Sequence, residues 1–169
     1  FPMYMNYFIE KEYGEDYYKH PEQLADLSSK QRTIDKIITD CFEQIVYSIN
    51  QPTGARNFQA VFWNVAYYDQ YYFNSLFEHF VFPDGNAPHW ESLSWLQKRF
   101  MKWFNKERTK AVLTFPVETM ALLTKDGDVL DKEYGDFTAE MYAEGHSFFT
   151  YMSDNADSLS SCCRLRNEI

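Results

Sequence analysis

Two adjacent cysteines near the end of the sequence, Cys162 and Cys163, are the residues best suited to chemistry. Ser160 and Ser161 precede them and Arg164 follows. This stretch is polar, whereas a structural cysteine is usually a small buried apolar side chain. A nearby arginine would favour the thiolate, and consecutive Cα atoms are too close for a relaxed disulfide. A chance pair of structural cysteines is the competing interpretation, and spacing alone leaves both open.

Three further polar residues are candidates for contact with a substrate. Asn64 lies in an apolar run that predicts a buried strand, where a structural hydrogen bond within the sheet is the alternative. Glu118 follows Pro116 at a predicted strand end, where α/β active sites gather, although a carboxylate at a helix N-terminus is an equal alternative. Arg164 could orient the cysteine segment or meet a substrate phosphate.

The remaining cysteine and the histidines do not form a metal-binding pattern. Cys41 falls on the apolar face of a predicted helix and is interpreted as a core residue. The four histidines are scattered along the chain: His20, His79, His89 and His146. We therefore expect no metal within this chain. A small, odd number of cysteines predicts a reducing, cytoplasmic location.

The composition predicts a folded acidic domain. The chain has 169 residues, of which 45% are hydrophobic and 19% aromatic, enough to bury a sizeable core. A net charge of −9 argues against nucleic acid and anionic membranes as partners. No apolar run approaches the roughly 20 residues that span a bilayer, and the start does not resemble a signal peptide. Because the sequence starts without Met and stops abruptly, we expect an internal piece of a longer protein.

The apolar pattern predicts helices that alternate with strands. Helical spacing predicts helices at 30–49, 69–79, 90–106 and 134–151, and apolar runs rich in β-branched and aromatic residues predict buried strands at 57–66 and 111–115. This alternation favours an α/β fold with parallel pairing. A cluster of aromatic residues is interpreted as packing rather than as a radical path: Tyr67, Tyr68, Tyr71, Tyr72 and Phe73.

Three separated segments resemble one known enzyme family. They are NQPTGARNFQAVFWNVAYYD at 50–69, TKAVLTFPVETMALL at 109–123 and SDNADSLSSCCRLRNE at 153–168. In this order they are similar to segments of the class III anaerobic ribonucleoside-triphosphate reductases, which are glycyl radical enzymes. The resemblance implies part of a ten-stranded α/β barrel with long helices packed outside. Residues 1–169 would form a partial catalytic barrel domain that ends in the finger loop, at about 152–169, without the ATP cone or the glycyl-radical segment.

The resemblance also implies an activity: reduction of ribonucleoside triphosphates to 2′-deoxyribonucleoside triphosphates under anaerobic conditions. A glycyl radical, carried by a C-terminal segment not in this chain, abstracts hydrogen from the finger-loop cysteine. The resulting thiyl radical takes the 3′-hydrogen of the substrate. Position before Arg164 favours Cys163 as the thiyl, with Cys162 as the alternative. The implied partners are the remainder of the reductase, a radical-SAM activating enzyme and a second copy in a homodimer.

Two other functions compete with this interpretation. Pyruvate formate-lyase-like glycyl radical enzymes also place adjacent cysteines on a finger loop within a similar barrel. A non-catalytic interaction domain with incidental cysteines is the second alternative, and it predicts a complete core. The reductase interpretation instead predicts exposed sheet edges that need the rest of the protein.

Overall fold

The structure, a computed structural model, describes residues 1–25, 32–161 and 164–166. The α-helices and strands of this part, in chain order, are α1 Pro2–Tyr13, α2 Ile34–Asn50, β1 Asn64–Tyr68, α3 Gln70–Phe77, α4 Trp90–Arg108, β2 Val117–Lys125, β3 Asp128–Val129, α5 Lys132–Ala143, β4 Phe149–Ser153, β5 Leu159–Ser161 and β6 Arg164–Arg166, and two short 3-10 helices lie at Tyr17–Lys19 and Gly54–Arg56. Two compact units are formed, the first by residues 1–62 with 91–115 and the second by residues 63–90 with 116–169.

The first unit is built on the facing apolar sides of α2 and α4. Thr33 caps α2 because its hydroxyl accepts the Lys36 N–H at 3.2 Å. The buried residues of α2 recur every four positions, which places them on one side of the helix: Ile34, Ile38, Phe42 and Val46. The Phe42 ring lies 4.9 Å from that of Phe100 and 5.4 Å from that of Trp103, between centroids. The helices predicted at 30–49 and 90–106 are confirmed.

The apolar run at 111–115 is not a strand, so that prediction was wrong. Asn50, the last residue of α2, accepts the N–H groups of Thr114 and Phe115 at 2.9 Å with its side-chain oxygen. Its amide nitrogen donates to the Phe115 carbonyl oxygen at 2.6 Å. Because a side chain holds these backbone groups, they are not offered to a neighbouring strand. Val112 is 98% exposed, so the run is not a buried sheet element.

The strand predicted at 57–66 begins only at Asn64. Asn57 and Phe58 have φ angles of 51° and 60°, in the left-handed region that an extended strand excludes. Phe58 is also largely exposed, as expected of a turn rather than a core strand. The pattern identified a strand but placed its start too early, because the apolar residues of this turn have the same types as strand residues.

The second unit contains a parallel sheet, which confirms the mixed α/β interpretation. The central strand β2 pairs in parallel with both β1 and β4, and its end pairs antiparallel with β3. Residues Glu118 to Leu122 are buried without interruption, as is typical of a central parallel strand. The helix α3 follows β1, and α5 lies in the crossover from β2 to β4.

Alternation along these strands gives the sheet two different faces. One, which we call the covered face, carries buried residues of β1 and β2: Val65, Tyr67, Glu118, Met120 and Leu122. The other, which we call the open face, carries the alternate residues of β1, β2 and β4: Asn64, Ala66, Tyr68, Thr119, Ala121, Phe149, Tyr151 and Ser153. On the two outer strands β1 and β4, the residues of the open face are partly or fully exposed.

The helix predicted at 134–151 is shorter than expected. It ends at Ala143, and Gly145 then takes a φ of +83° in the left-handed region, which breaks the helix. The chain continues into β4, where the aromatic residues Phe149 and Tyr151 alternate along the strand. The helix predicted at 69–79 is confirmed as α3.

Asp69 fastens the C-terminal end of β2 to the start of α3. This residue has no exposed surface. Its Oδ1 accepts the Tyr72 N–H at 2.7 Å and caps α3, while its Oδ2 accepts the Leu123 N–H at 2.7 Å. Burial raises the pKa of Asp69, and the hydrogen bonds from backbone N–H groups act in the opposite direction.

Asp131 makes a second junction of the same kind. Its Oδ1 accepts the Tyr134 N–H at 3.0 Å and caps α5, and its Oδ2 accepts the Gln70 N–H at 3.0 Å. The carboxylate of Asp131 also raises the pKa of Asp69, so the two acidic groups are close. Both α3 and α5 follow a strand in the second unit. In each helix, a carboxylate therefore accepts N–H groups of the first turn that have no partner within the helix.

We expect Asp69→Asn to destabilise the protein. Asparagine offers one side-chain oxygen where aspartate offers two, so the N–H of Tyr72 or Leu123 would face an amide NH₂ group. The free energy of unfolding should fall by about 1–3 kcal/mol in urea denaturation. The matched control Asp126→Asn, on an exposed turn, should change it by less than about 0.5 kcal/mol. Equal effects of the two variants would contradict this role of Asp69.

Glu107 provides a polar link between α2 and α4 in the first unit. Its carboxylate accepts the Tyr47 hydroxyl at 2.8 Å and the Lys110 ammonium at 2.7 Å. The hydrogen bond from Lys110 is the largest cause that lowers the pKa of Glu107, and the one from Tyr47 acts in the same direction. The ionised form is therefore favoured in the folded protein.

A lowered pKa in the folded state predicts how stability depends on pH. The contribution of Glu107 is present above its unfolded pKa of 4.5 and is lost as the pH falls through the folded pKa. The stability advantage of the wild type over Glu107→Gln should therefore be smaller at about pH 3 than at pH 7. Chemical denaturation at both pH values measures it. An advantage that stays constant or grows on acidification would show that this prediction is wrong.

Candidate active site

The cysteine pair at 162–163 lies outside the described residues, as does the side chain of Arg164. The strands on either side, β5 and β6, pair antiparallel with Ser161 opposite Arg164. The backbone of β5 lies close to that of β2 and β4. The chemical roles assigned to the cysteines and to Arg164 therefore stay predictions, while the path of the chain that leads to them is visible.

The segment that leads to the cysteines is held on the open face of the sheet. The Tyr151 hydroxyl, on that face, lies 2.7 Å from the Ser158 Oγ. The Tyr72 hydroxyl, on α3, donates to the Ser158 carbonyl oxygen at 2.8 Å. The turn before it is closed by Ser153, whose Oγ donates to the Asn155 carbonyl oxygen at 3.0 Å and accepts the Asn155 N–H at 3.1 Å. Ser158 is thus fixed by both its backbone and its side chain.

Sequence reasoning missed the role of the tyrosine hydroxyls. Tyr72 is fully buried, which agrees with its interpretation as a packing residue, but its hydroxyl also holds Ser158. Burial raises the pKa of Tyr72 to about 12, so the group is a neutral donor at physiological pH. No local pattern could have revealed the contact, because 86 positions separate the two residues in sequence.

Asn64 and Glu118 lie on neighbouring strands but on opposite faces of the sheet. Asn64 pairs with Val117, the residue before Glu118, which places Asn64 on the open face and Glu118 on the covered face. Asn64 is half-buried, whereas Glu118 is only 2% exposed. The two predicted substrate ligands are therefore not brought together at one site.

Both positions predicted for Glu118, at the end of a strand and at a helix N-terminus, were wrong. Glu118 is the second residue of β2, so it neither follows a strand nor begins a helix. It lies near the N-terminal end of that strand, whereas the ends at which sites gather in open α/β sheets are the carboxyl ends. The error follows from the false strand at 111–115, since Pro116 was taken to close that strand.

A short hydrogen bond joins Glu118 to Tyr67 within the covered face. The Tyr67 hydroxyl donates to the Glu118 Oε1 at 2.5 Å, and both side chains are buried. Burial is the largest cause that raises the pKa of Tyr67 well above its ordinary value, and the charge of Glu118 adds to it. Tyr67 therefore stays protonated, and the pair connects β1 to β2 inside the unit.

We expect Tyr67→Phe to be costly, because it leaves a buried carboxylate without this donor. The free energy of unfolding should fall by about 1–3 kcal/mol. Tyr71→Phe removes the same group from a 44% exposed tyrosine and serves as the control, with an expected change of less than about 0.5 kcal/mol. Urea denaturation of both variants compares them. A Tyr67→Phe protein as stable as the control would refute a structural role for the bond.

Two features are absent from the described residues. No group of three or more histidine, cysteine, aspartate or glutamate side chains in this part of the chain is placed to hold a metal ion. None of its helices is both long enough and apolar enough to cross a membrane.

Comparisons with known proteins agree on one family. The model of the family "Anaerobic ribonucleoside-triphosphate reductase" matches residues 1–168. The comparison with curated proteins gave no match. Among solved structures, the anaerobic ribonucleotide reductase from Thermotoga maritima with citrate in the active site is 30% identical, with a TM-score of 0.76, and the match covers 99% of this chain and 28% of that one.

Two other structures of the Thermotoga maritima enzyme match in the same way. The complex with dATP and CTP is 30% identical with a TM-score of 0.77, over 99% of this chain and 26% of that chain. The structure with glycerol in the active site is 30% identical with a TM-score of 0.78, over 100% of this chain and 26% of that chain. The chain thus spans about a quarter of the length of these relatives. From the family match over residues 1–168, we conclude that this chain belongs to the anaerobic ribonucleoside-triphosphate reductase family.

Proposed function

We propose that this chain is part of the catalytic barrel of an enzyme that reduces ribonucleoside triphosphates to 2′-deoxyribonucleoside triphosphates under anaerobic conditions. The observation that carries the proposal is the position of the segment before the cysteines. It is held by Ser158 on the open face of a parallel sheet, in a chain whose family is that of the reductases. The ten-stranded barrel and the finger loop at about 152–169 are part of this proposal.

The thiol next to Arg164 is the reacting group in this proposal. Cys163 gives its hydrogen atom to the glycyl radical that this family carries on another segment. The sulfur-centred radical then takes the 3′-hydrogen of the ribonucleotide, and the 2′-hydroxyl leaves with a proton as water. An external reductant supplies two electrons and a second proton forms the C2′–H bond, after which Cys163 returns the hydrogen atom to C3′ and is again the sulfur-centred radical. A polarizable sulfur suits a group that gains and loses a hydrogen atom. Cys162 remains the alternative carrier.

Asn64 and Arg164 are the proposed substrate ligands. The half-buried position of Asn64 on the open face supports its role, since the cysteine segment is held over the same face. Arg164 directly follows the cysteines and could meet a phosphate group. Contact of Glu118 with the substrate stays a prediction. Because Glu118 is buried with Tyr67 on the covered face, a structural role in joining β1 to β2 is favoured.

The proposed partners follow from the family. They are the remainder of the reductase, a radical-SAM activating enzyme and a second copy in a homodimer, in the cytoplasm. The Thermotoga maritima relative was solved with dATP and CTP, which supports nucleotides as ligands of the whole enzyme. The family match also favours the reductase over the pyruvate formate-lyase-like alternative.

Cysteine variants of the full, activated chain test this function. We expect Cys163→Ser to make no deoxyribonucleotide while the glycyl radical signal still forms in electron paramagnetic resonance, because serine cannot release its hydrogen atom as a thiol does. Cys162→Ser and the control Cys41→Ser, in a half-buried position of α2, should keep activity. Activity lost only in Cys162→Ser would exchange the two roles. Activity retained in both variants of the pair would overturn the proposal.

A further inference from the structure

We propose that Tyr72 and Tyr151 are positioning residues that, through Ser158, hold the segment leading to the cysteine pair in register with the sheet. This inference rests on the proposed function, since it assigns the way in which the cysteine segment is kept in register with the sheet. Neither tyrosine touches the reacting atoms in this proposal. Each acts through Ser158, which lies only four residues before the first cysteine of the pair.

The two hydroxyls hold Ser158 in complementary ways. Tyr72 binds the carbonyl oxygen of Ser158 at 2.8 Å, and this fixes the direction of the peptide that enters β5. Tyr151 binds the side-chain Oγ at 2.7 Å, and this fixes the residue against β4. A carbonyl and a hydroxyl of one residue, held from two elements, leave the backbone at that point little freedom to rotate.

The supports of the two tyrosines are themselves fixed. Tyr72 is fully buried, and its backbone N–H is bound by Asp69, which also binds the N–H of Leu123 at the end of the central strand. Tyr151 belongs to β4, where it pairs with Ala121 of the same central strand. Tyr72 therefore connects Ser158 to β2 through Asp69, and Tyr151 connects it to β2 through the pairing of β4 with β2.

The position of the thiol should depend on this anchor because hydrogen-atom transfer needs close approach of donor and acceptor. A misplacement of about 1 Å can cost a hundredfold in rate when groups must meet in one geometry. Between Ser158 and the cysteines the described chain has only the short strand β5, which pairs with β6 over three residues. A short hairpin on its own is marginally stable, so the anchor before it has to supply order.

The test uses Tyr72→Phe and Tyr151→Phe in the full, activated chain, with Tyr71→Phe as the matched control. Phenylalanine keeps the ring and removes only the hydroxyl, and Tyr71 is an exposed neighbour on the same helix. Each of the two variants should raise the rate at which maleimide alkylates the cysteine pair by about three- to tenfold, the factor that one net hydrogen bond represents. Their kcat should fall by a similar factor, with KM and glycyl radical content unchanged.

A double-mutant cycle with Ser158→Ala identifies the bonds involved. The Oγ is the partner of Tyr151, so Tyr151→Phe and Ser158→Ala should not add in alkylation rate. The carbonyl oxygen is the partner of Tyr72, and alanine keeps it, so Tyr72→Phe and Ser158→Ala should add. The opposite pattern would show that the tyrosines act through general packing, and the proposal would fall.

These experiments distinguish a failure of the positioning role from a failure of the proposed function. If the wild type makes deoxyribonucleotide and both tyrosine variants behave like Tyr71→Phe in kcat and alkylation, the positioning role is overturned and the proposed function stands. If a wild type with full radical content makes no deoxyribonucleotide, the proposed function fails. In that case the alkylation rates and the cycle still decide whether the two tyrosines hold the cysteine segment.

Discussion

The buried carboxylate of Asp69 is the interaction on which the second unit depends. Its two oxygens bind the N–H of Leu123, near the C-terminal end of the central strand, and that of Tyr72, in the first turn of α3. Burial opposes the charged form and raises the pKa of Asp69, and the two short bonds at 2.7 Å offset part of that cost. Because the Tyr72 side chain then reaches Ser158, hydrogen bonds through this one carboxylate connect the segment before the cysteines to the central strand.

Tyrosine hydroxyls carry much of the polar order inside this unit. Tyr67 joins two strands through Glu118, and Tyr72 joins α3 to Ser158. Burial raises the pKa of both phenols, so neither releases its proton near neutral pH. A neutral donor fixed by a rigid ring defines a position with few rotatable bonds. This explains why an aromatic cluster that looked like packing is also a set of hydrogen-bond donors.

Apolar periodicity predicted α2, in which buried residues repeat from one turn to the next. It failed at 111–115, where a side chain distant in sequence determines the backbone conformation. The repeat of apolar residues in α2 was sufficient because each lies one turn from the next. The run at 111–115 had the composition of a strand, but Asn50 holds its backbone. The sequence alone singles out the cysteine pair, whereas the radical role proposed for it rests only on the family resemblance. The opposite faces of Asn64 and Glu118 required the register, which no single segment contains.

The strand β4 both holds Ser158 and forms an edge of the sheet in the described part of the chain. It supplies Tyr151 to Ser158 and, within the described part of the chain, pairs with β2 alone. Large apolar side chains project from both of its faces, Phe149 being 59% and Met152 52% exposed. Whatever polypeptide docks along this outer edge would damp the motion of Tyr151. Assembly of neighbouring structure on β4 would therefore also stiffen the support of Ser158, so the order of the segment before the cysteines would depend on completion of the surrounding fold.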